Sequence, residues 1–361
     1  YIDGSRAEIF DVNSDTLWVK MPPGPYDDRS ISKVRLELYT KEATLDTDLH
    51  LENTWYLYDV LKKDEVTDSP YVGNVSKYTF QEGNYLYLNT YMKQDISNYT
   101  NNRILQYDPA TRELKDLPTI PIDFENYLAN DLQLFPAKNG MEAYLYLMKA
   151  EDNFYRYNYN SGELTQLKDY PGAEIREGSG AVLNNKFYFG LGHTGTNSVT
   201  VNLDMYEYDI INNTWKLHSE MPFESDRAYN SRKTDFIWNN SLYTGNGSDW
   251  QYDFWKFNPT EGWVQKESIP HPISSTAYFQ VNDKAFYYHQ YDNEFWEYQR
   301  SDDSWSNRAD LAIGKYRIAT ESAFVIGEYA YIIGYYNDYG YEESAAQQRD
   351  QLILRTEISN L

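Results

Sequence analysis

Apolar and polar residues alternate along this chain in short runs broken by Asn, Asp, Gly, Ser and Pro. A period of two predicts half-buried strands, and the breaks predict tight turns. One phrase recurs: an aromatic-rich run, a polar turn, a second run with Trp or an aliphatic residue, and often Pro. It reads ILQYDPATRELKDLP from Ile104, FYRYNYNSGELTQLKDYP from Phe154 and MYEYDIINNTWKLHSEMP from Met205. FWKFNPTEGWVQKESIP from Phe254 and FWEYQRSDDSWSNRADL from Phe295 complete the series. Its markers Tyr107, Tyr157, Tyr208, Phe257 and Tyr298 are separated by 50, 51, 49 and 41 residues. Each copy predicts a β-hairpin.

A second phrase precedes each copy of the first: a turn of Asn, Asp or Gly, then an alternating aromatic run. It begins at Gly83, Glu142, Asn184, Asn239, Asn282 and Gly327. Shorter runs of small residues lie ahead of several copies, as at Gly178–Ala181 and Ser274–Ala277, and suit a crowded innermost strand. Every period therefore holds about four strands, the content of one blade of a β-propeller. The predicted fold is all-β, a propeller of six blades, or seven if a degenerate blade lies in 1–70. The sixth blade is completed by Gln351–Arg355 and by a strand from the N-terminal side, for which Glu65–Pro70 matches Glu113–Pro118. The expected division is a small β-sandwich-like module or degenerate blade over 1–70, contributing the closing strand, and a propeller over 71–361.

The repeat resembles the kelch family. The residues that carry the likeness are Tyr-Asp or Tyr-Asn on the third strand, as at Tyr208-Asp209, and Trp on the fourth, at Trp215, Trp263 and Trp305. Met221-Pro222 and Ile269-Pro270 fit as well. The family's double glycine is degenerate, as Gly190-Leu191-Gly192 and Gly245-Asn246-Gly247, and Leu114 and Leu164 stand where Trp is expected. The resemblance implies ligand contacts on the loops that lead from one blade's outer strand into the next blade's inner strand. Arg176, Glu177, Arg227, Arg232, Arg317 and Glu321 lie on or beside such loops. His271 falls in another, and Trp250, Tyr252 and Tyr335 could stack on sugar rings, whose C–H faces bury against aromatic faces. For any single Arg, a salt bridge between blades is the commoner role.

Composition narrows the function. The 37 Tyr and 9 Trp favour strands, and a net charge of −23 makes a nucleic-acid partner improbable. The absence of cysteine excludes thiol catalysis, disulfides and Cys-based metal sites. It also excludes the cysteine–tyrosine crosslink of galactose-oxidase-like chemistry. The 5 histidines show no metalloprotease spacing. No cofactor is expected; Asp11–Asp15 imitates the start of a calcium loop but has Thr16 at the glycine position and Pro22 at the glutamate position. The chain begins at Tyr1 rather than Met, so a processed start is expected, with any anchor upstream. Together these features predict an exported, cell-surface or periplasmic binding protein for a glycan or a protein partner, similar in composition to bacterial surface lipoproteins. The alternatives are a sialate-mutarotase-like sugar isomerase and a structural scaffold subunit.

Overall fold

A computed structural model describes residues 8–12, 17–20, 30–31, 34–38, 41–45, 49–50, 55–61, 73–75, 80–93, 99–122, 132–137, 141–148, 150, 153–194, 200–222, 234–245, 252–270, 277–289, 294–308, 318–336 and 351–361. It describes side chains for fewer of them and for none before Trp55. Apart from one 3-10 turn at Ile358–Asn360, the described elements are strands. No helix among them is long and apolar enough to cross a membrane.

Six antiparallel sheets follow one another along the chain. The first pairs Gly73–Val75 and Phe80–Glu82 with Tyr85–Lys93, then adds Tyr99–Asp108 and Glu113–Leu117. The second runs Leu132–Pro136, Glu142–Leu147, Phe154–Asn158, Leu164–Gln166. The third is Ser179–Leu183, Lys186–Gly190, Asp204–Asp209, Thr214–Glu220, and the fourth Thr234–Trp238, Ser241–Gly245, Phe254–Asn258, Gly262–Lys266. The fifth is Tyr278–Val281, Lys284–His289, Glu294–Gln299, Ser304–Asn307. In the sixth, Ile318–Ile326, Tyr329–Tyr336 and Gln351–Glu357 are joined by Tyr56–Leu61, which pairs Leu352 with Val60 and Ile353 with Asp59. The outer strand of this last sheet thus comes from Tyr56–Leu61, whereas the expected Glu65–Pro70 lies outside the described residues. Among the earlier residues, Glu8–Val12 pairs with Leu17–Lys20, Val34–Leu38 with Lys41–Leu45, and Ser30–Ile31 with Leu49–His50.

Each sheet is a blade packed between two others. Along Glu142–Leu147, Ala143, Leu145 and Leu147 join blade 1's Tyr87, Ile104 and Leu117, while Tyr144 and Tyr146 join blade 3's Phe187 and Phe189. Both faces of the strand are buried, so its apolar run is nearly continuous. Further clusters join Leu183 and Tyr188 to Leu242 and Phe257, Phe236 and Phe254 to Tyr287 and Tyr298, and Phe286 and Phe295 to Ile332 and Leu354. The sixth joins Tyr58, Tyr331 and Ile353 to Leu86, Leu105 and Tyr107, so blade 6 meets blade 1. The chain is a closed six-bladed β-propeller.

The five markers are almost wholly buried, and the residue five positions after each adopts positive φ: Arg112, Gly162, Asn213, Gly262 and Asp303. That turn is also a clasp between blades. Asn213 Oδ1 accepts from Tyr208 Oη–H (2.8 Å) within its blade and from the Lys168 amide (2.7 Å) of the preceding one. Trp215 Nε1 returns a bond to Lys168 O (2.7 Å). Asp303 repeats the arrangement with Tyr298 (2.8 Å) and the Glu267 amide (3.0 Å), and Trp305 Nε1 donates to Glu267 O (3.0 Å). Blade 2 lacks this form. A Cβ on Gly162 would sit 2.7 Å from Pro118 Cβ, and Tyr157 donates instead to the Pro118 carbonyl. That local difference accompanies Leu164 in place of Trp. At the closure, Tyr107 donates to Asp59 Oδ2 (2.6 Å), and Arg355 lies between the rings of Tyr58 (4.0 Å) and Tyr329 (4.1 Å).

Two outcomes follow from this packing. Phe154 is fully buried among Tyr144, Phe187, Tyr208 and Trp215, so Phe154→Ala should lower stability by about 3–5 kcal/mol in urea unfolding. Burial opposes ionisation of Asp303, but hydrogen bonds from Lys266, the Glu267 amide and Tyr298 prevail and hold its carboxyl below the ordinary value. A depressed carboxylate contributes stability that is lost as pH falls through its folded pKa. Asp303→Asn should therefore melt a degree or two lower at neutral pH, with the difference closing below about pH 4 in a melting series.

Candidate functional site

Strand direction alternates within a blade. Connections from fourth strand to next first strand, and from second strand to third, therefore leave the sheets at one end of the ring. The tight first-to-second and third-to-fourth turns occupy the other end. The first strands are nearly buried, as in Leu132–Pro136, while fourth strands such as Thr214–Glu220 are largely exposed. First strands therefore ring the axis, and the first end of the ring surrounds its mouth.

Of the residues expected to form a site, Arg176, Glu177 and Tyr252 are described at this end. Tyr252 is 37% exposed. Glu321 and Tyr335 fall on strands Ile318–Ile326 and Tyr329–Tyr336, where their side chains lie outside the described residues. Arg227, Arg232, Trp250, His271 and Arg317 lie outside them altogether.

The best-defined part of the mouth is the approach to blade 3. Arg176 and His193 exchange backbone hydrogen bonds, Arg176 N to His193 O (2.9 Å) and His193 N to Arg176 O (3.1 Å). Gly192, with φ +84, lies so close beneath that a Cβ would stand 2.3 Å from Arg176 O. Glycine is required here, and that explains one of the two glycines in Gly190-Leu191-Gly192. Gly190 is held by the third strand, since its Cβ would meet Asp204 O at 2.0 Å.

Gln133, fully buried on blade 2's first strand, clamps the same segment. Its Nε2 donates to Ile175 O (2.9 Å) and its Oε1 accepts from the Gly178 amide (2.6 Å). Between these anchors Glu177 has φ +51, a left-handed conformation that a side chain bearing Cβ rarely adopts. Such conformations persist where the surroundings over-determine them, and they cluster at ligand sites. Sequence reasoning found Arg176 and Glu177 but missed Gln133, whose only signal is a lone amide in the apolar run LQLFP.

His193 is not an exposed loop histidine: it is 4% exposed and belongs to the backbone bridge. His289 is buried at the end of its strand, and His218 lies edge-on between Tyr188 and Phe257, each at 5.3 Å. Among the described residues no group of three or more His, Asp or Glu side chains could hold a metal ion.

Asp253 follows Tyr252 on the second-to-third connection of blade 4. Burial raises its pKa above the ordinary carboxylate value, against the opposing bond from Trp255 Nε1 (3.0 Å). The described ion pairs of the third strands serve the blades instead. Glu207 holds Lys186 and Lys216 (3.1 Å), and Glu297 holds Lys284 (3.1 Å) and Arg308 (2.6 Å). Burial opposes the charge on Glu207, but bonds from Lys186, Lys216 and Tyr188 keep its carboxyl below its usual range.

No known protein-family model matches the chain, and no curated protein does. Among solved structures it is similar to that titled "Structure of YjhT", at 16% identity and a TM-score of 0.46. The match covers 60% of this chain and 75% of that one.

Because Asp253 has a raised pKa, its ionised form destabilises the fold increasingly as pH rises through that value. Asp253→Asn should raise the melting temperature by about 2 °C at neutral pH and leave it unchanged at about pH 4, as read by differential scanning calorimetry.

Proposed function

We propose that this protein is a kelch-type binding propeller, exported to the cell surface or periplasm, that recognises a glycan or a protein partner at the mouth built from its blade-to-blade connections. The observation that carries the reading is Glu177. Its unfavourable backbone conformation is held by Gln133, Gly192 and the Arg176–His193 bridge at the rim of the ring. These contacts hold the half-buried Glu177 in one place, and a carboxylate held in place beside a loop is what hydroxyl or amide recognition uses. Tyr252, partly exposed on the neighbouring blade at the same end, supplies the kind of aromatic surface on which a sugar ring stacks. The kelch assignment rests on the fourth-strand Trp residues, which serve one purpose in three blades. Trp215, Trp263 and Trp305 each donate a bond to the preceding blade.

A second reading, a sialate-mutarotase-like isomerase, is favoured by one feature: the backbones of Arg176 and His193 pair beside Glu177 at one approach. An isomerase needs an acid and a base within reach of the sugar. The burial of His193 makes it a poor proton donor to a ligand, so the binding role ranks first. No cofactor enters either reading.

A thermal-shift screen against mono- and oligosaccharides, with calcium and with EDTA, tests the proposal. A ligand that binds the folded state alone must raise the melting temperature. A shift of a few degrees with one sugar class is expected, insensitive to EDTA. Anomer exchange of that sugar at a rate above background would transfer the assignment to the isomerase. No shift with any saccharide would leave a protein partner as the recognised species.

A further inference from the structure

Blades 1 to 5 take the outer strand from their own third strand across a short turn. Blade 6 does not. Its outer strand, Tyr56–Leu61, comes from ahead of the ring, and no such turn ties it to Gln351–Glu357. With Trp55 it makes a segment of seven residues that touches three blades. Trp55 is buried against blade 5, stacked on Phe295 (5.3 Å) and edge-on to Phe279 (5.7 Å). The backbone pairs with Gln351–Arg355 of blade 6, and Arg355 covers one side of the Tyr58 ring. Towards blade 1, Tyr58 Oη donates to Pro109 O, Arg112 lies 4.4 Å from the Tyr58 ring, and Asp59 takes the Tyr107 hydroxyl.

Both joints also have contacts that this segment does not make. Between blades 6 and 1, Phe324 and Ile333 share a buried cluster with Leu86, Leu88 and Leu105. On the first strands, Gln81 Oε1 accepts from the Val325 amide (3.3 Å). Between blades 5 and 6, Phe286 and Tyr288 pack with Ala330 and Ile332. The inner part of each joint therefore stays filled when the outer strand is absent. Proteins open locally in contiguous cooperative pieces, and the cheapest piece is one that leaves without breaking into its neighbours' cores. Here the contacts to the flanking blades depend on one frame. Trp55 adjoins the first paired residue and Tyr58 and Asp59 lie within the pairing, so loss of the ladder to Gln351–Arg355 frees all three together.

We infer that Trp55–Leu61 is a strap that undocks from blades 5, 6 and 1 as one unit while the six blades stay folded, so that the ring opens first at the outer edge of this joint. Undocking bares the backbone edge of Gln351–Glu357, which the strap otherwise pairs and covers. The device belongs to the fold and is independent of what the mouth recognises.

Native-state hydrogen exchange of the full chain, read by mass spectrometry at a series of low urea concentrations, tests the inference. The amides of the strap and those of Gln351–Arg355 that pair with it should form one class. That class should exchange at least about tenfold faster than Glu142–Leu147 and depend more weakly on urea, because undocking exposes little surface. Two variants probe the two sides. Trp55→Leu removes the stacked ring at blade 5 and should accelerate exchange at least about tenfold. Tyr58→Phe removes only the hydroxyl bond to blade 1 and should accelerate it about threefold to tenfold. In each variant the factor should be the same along the whole strap. Exchange of the wild-type strap together with Glu142–Leu147, at one rate and one urea dependence, overturns the inference, because the segment then leaves only when the ring unfolds. Acceleration confined to the mutated end also overturns it, because the segment then frays residue by residue. The wild-type comparison needs neither variant, and the mild Tyr58→Phe serves if Trp55→Leu does not fold.

Discussion

A four-stranded blade has two apolar faces and no core of its own, so it is stable only between two others. This constraint organises the molecule. It explains why Glu142–Leu147 is buried along both faces, with Ala143 and Leu145 turned to blade 1 and Tyr144 and Tyr146 to blade 3. It also explains why the ring must close. Without Tyr56–Leu61 beside Gln351–Glu357, blade 6 would lack its outer strand. Tyr58 is part of the cluster that joins blade 6 to blade 1, and Asp59 accepts the hydroxyl of blade 1's own marker, Tyr107. The closing strand is therefore bound both to the sheet it completes and to the blade beyond it.

The aromatic richness of the chain follows from the same constraint. Blades diverge outward, and the gap between them is filled by large rings with a polar tip. Tyr107, Tyr157, Tyr208 and Tyr298 bury their rings in the interfaces while their hydroxyls reach acceptors near the turns. Tryptophan on the fourth strand does likewise from the outer side. Rigid blades then allow the connections at the mouth to carry strain, and the left-handed Glu177 between two bonds of Gln133 is the clearest instance.

Much of this was legible in the residues. The marker positions, the six second strands and the return of Gln351–Arg355 to the last blade could be read because each repeat must bury the same faces in the same order. The Trp residues of blades 3 to 5 and the Leu residues of blades 1 and 2 were legible as a departure. What accompanies it in blade 2 was not, since Gly162 approaches Pro118 of the preceding blade only when the blades pack. The partner of Tyr107 was equally hidden, because Asp59 is distant in sequence and adjacent only once the ring closes.

At the mouth the division is sharper. Sequence pattern by itself determined that Arg176 and Glu177 stand on a blade-to-blade connection, because the strand repeat assigns every connection to an end of the ring. Only the tertiary structure decided that Glu177 is left-handed, that Gln133 from another blade clamps it, and that His193 is buried rather than offered to a ligand. The physical reason is that periodicity reports which face a residue turns to, whereas strain, burial and hydrogen-bond satisfaction depend on chain segments that meet only when neighbouring blades pack.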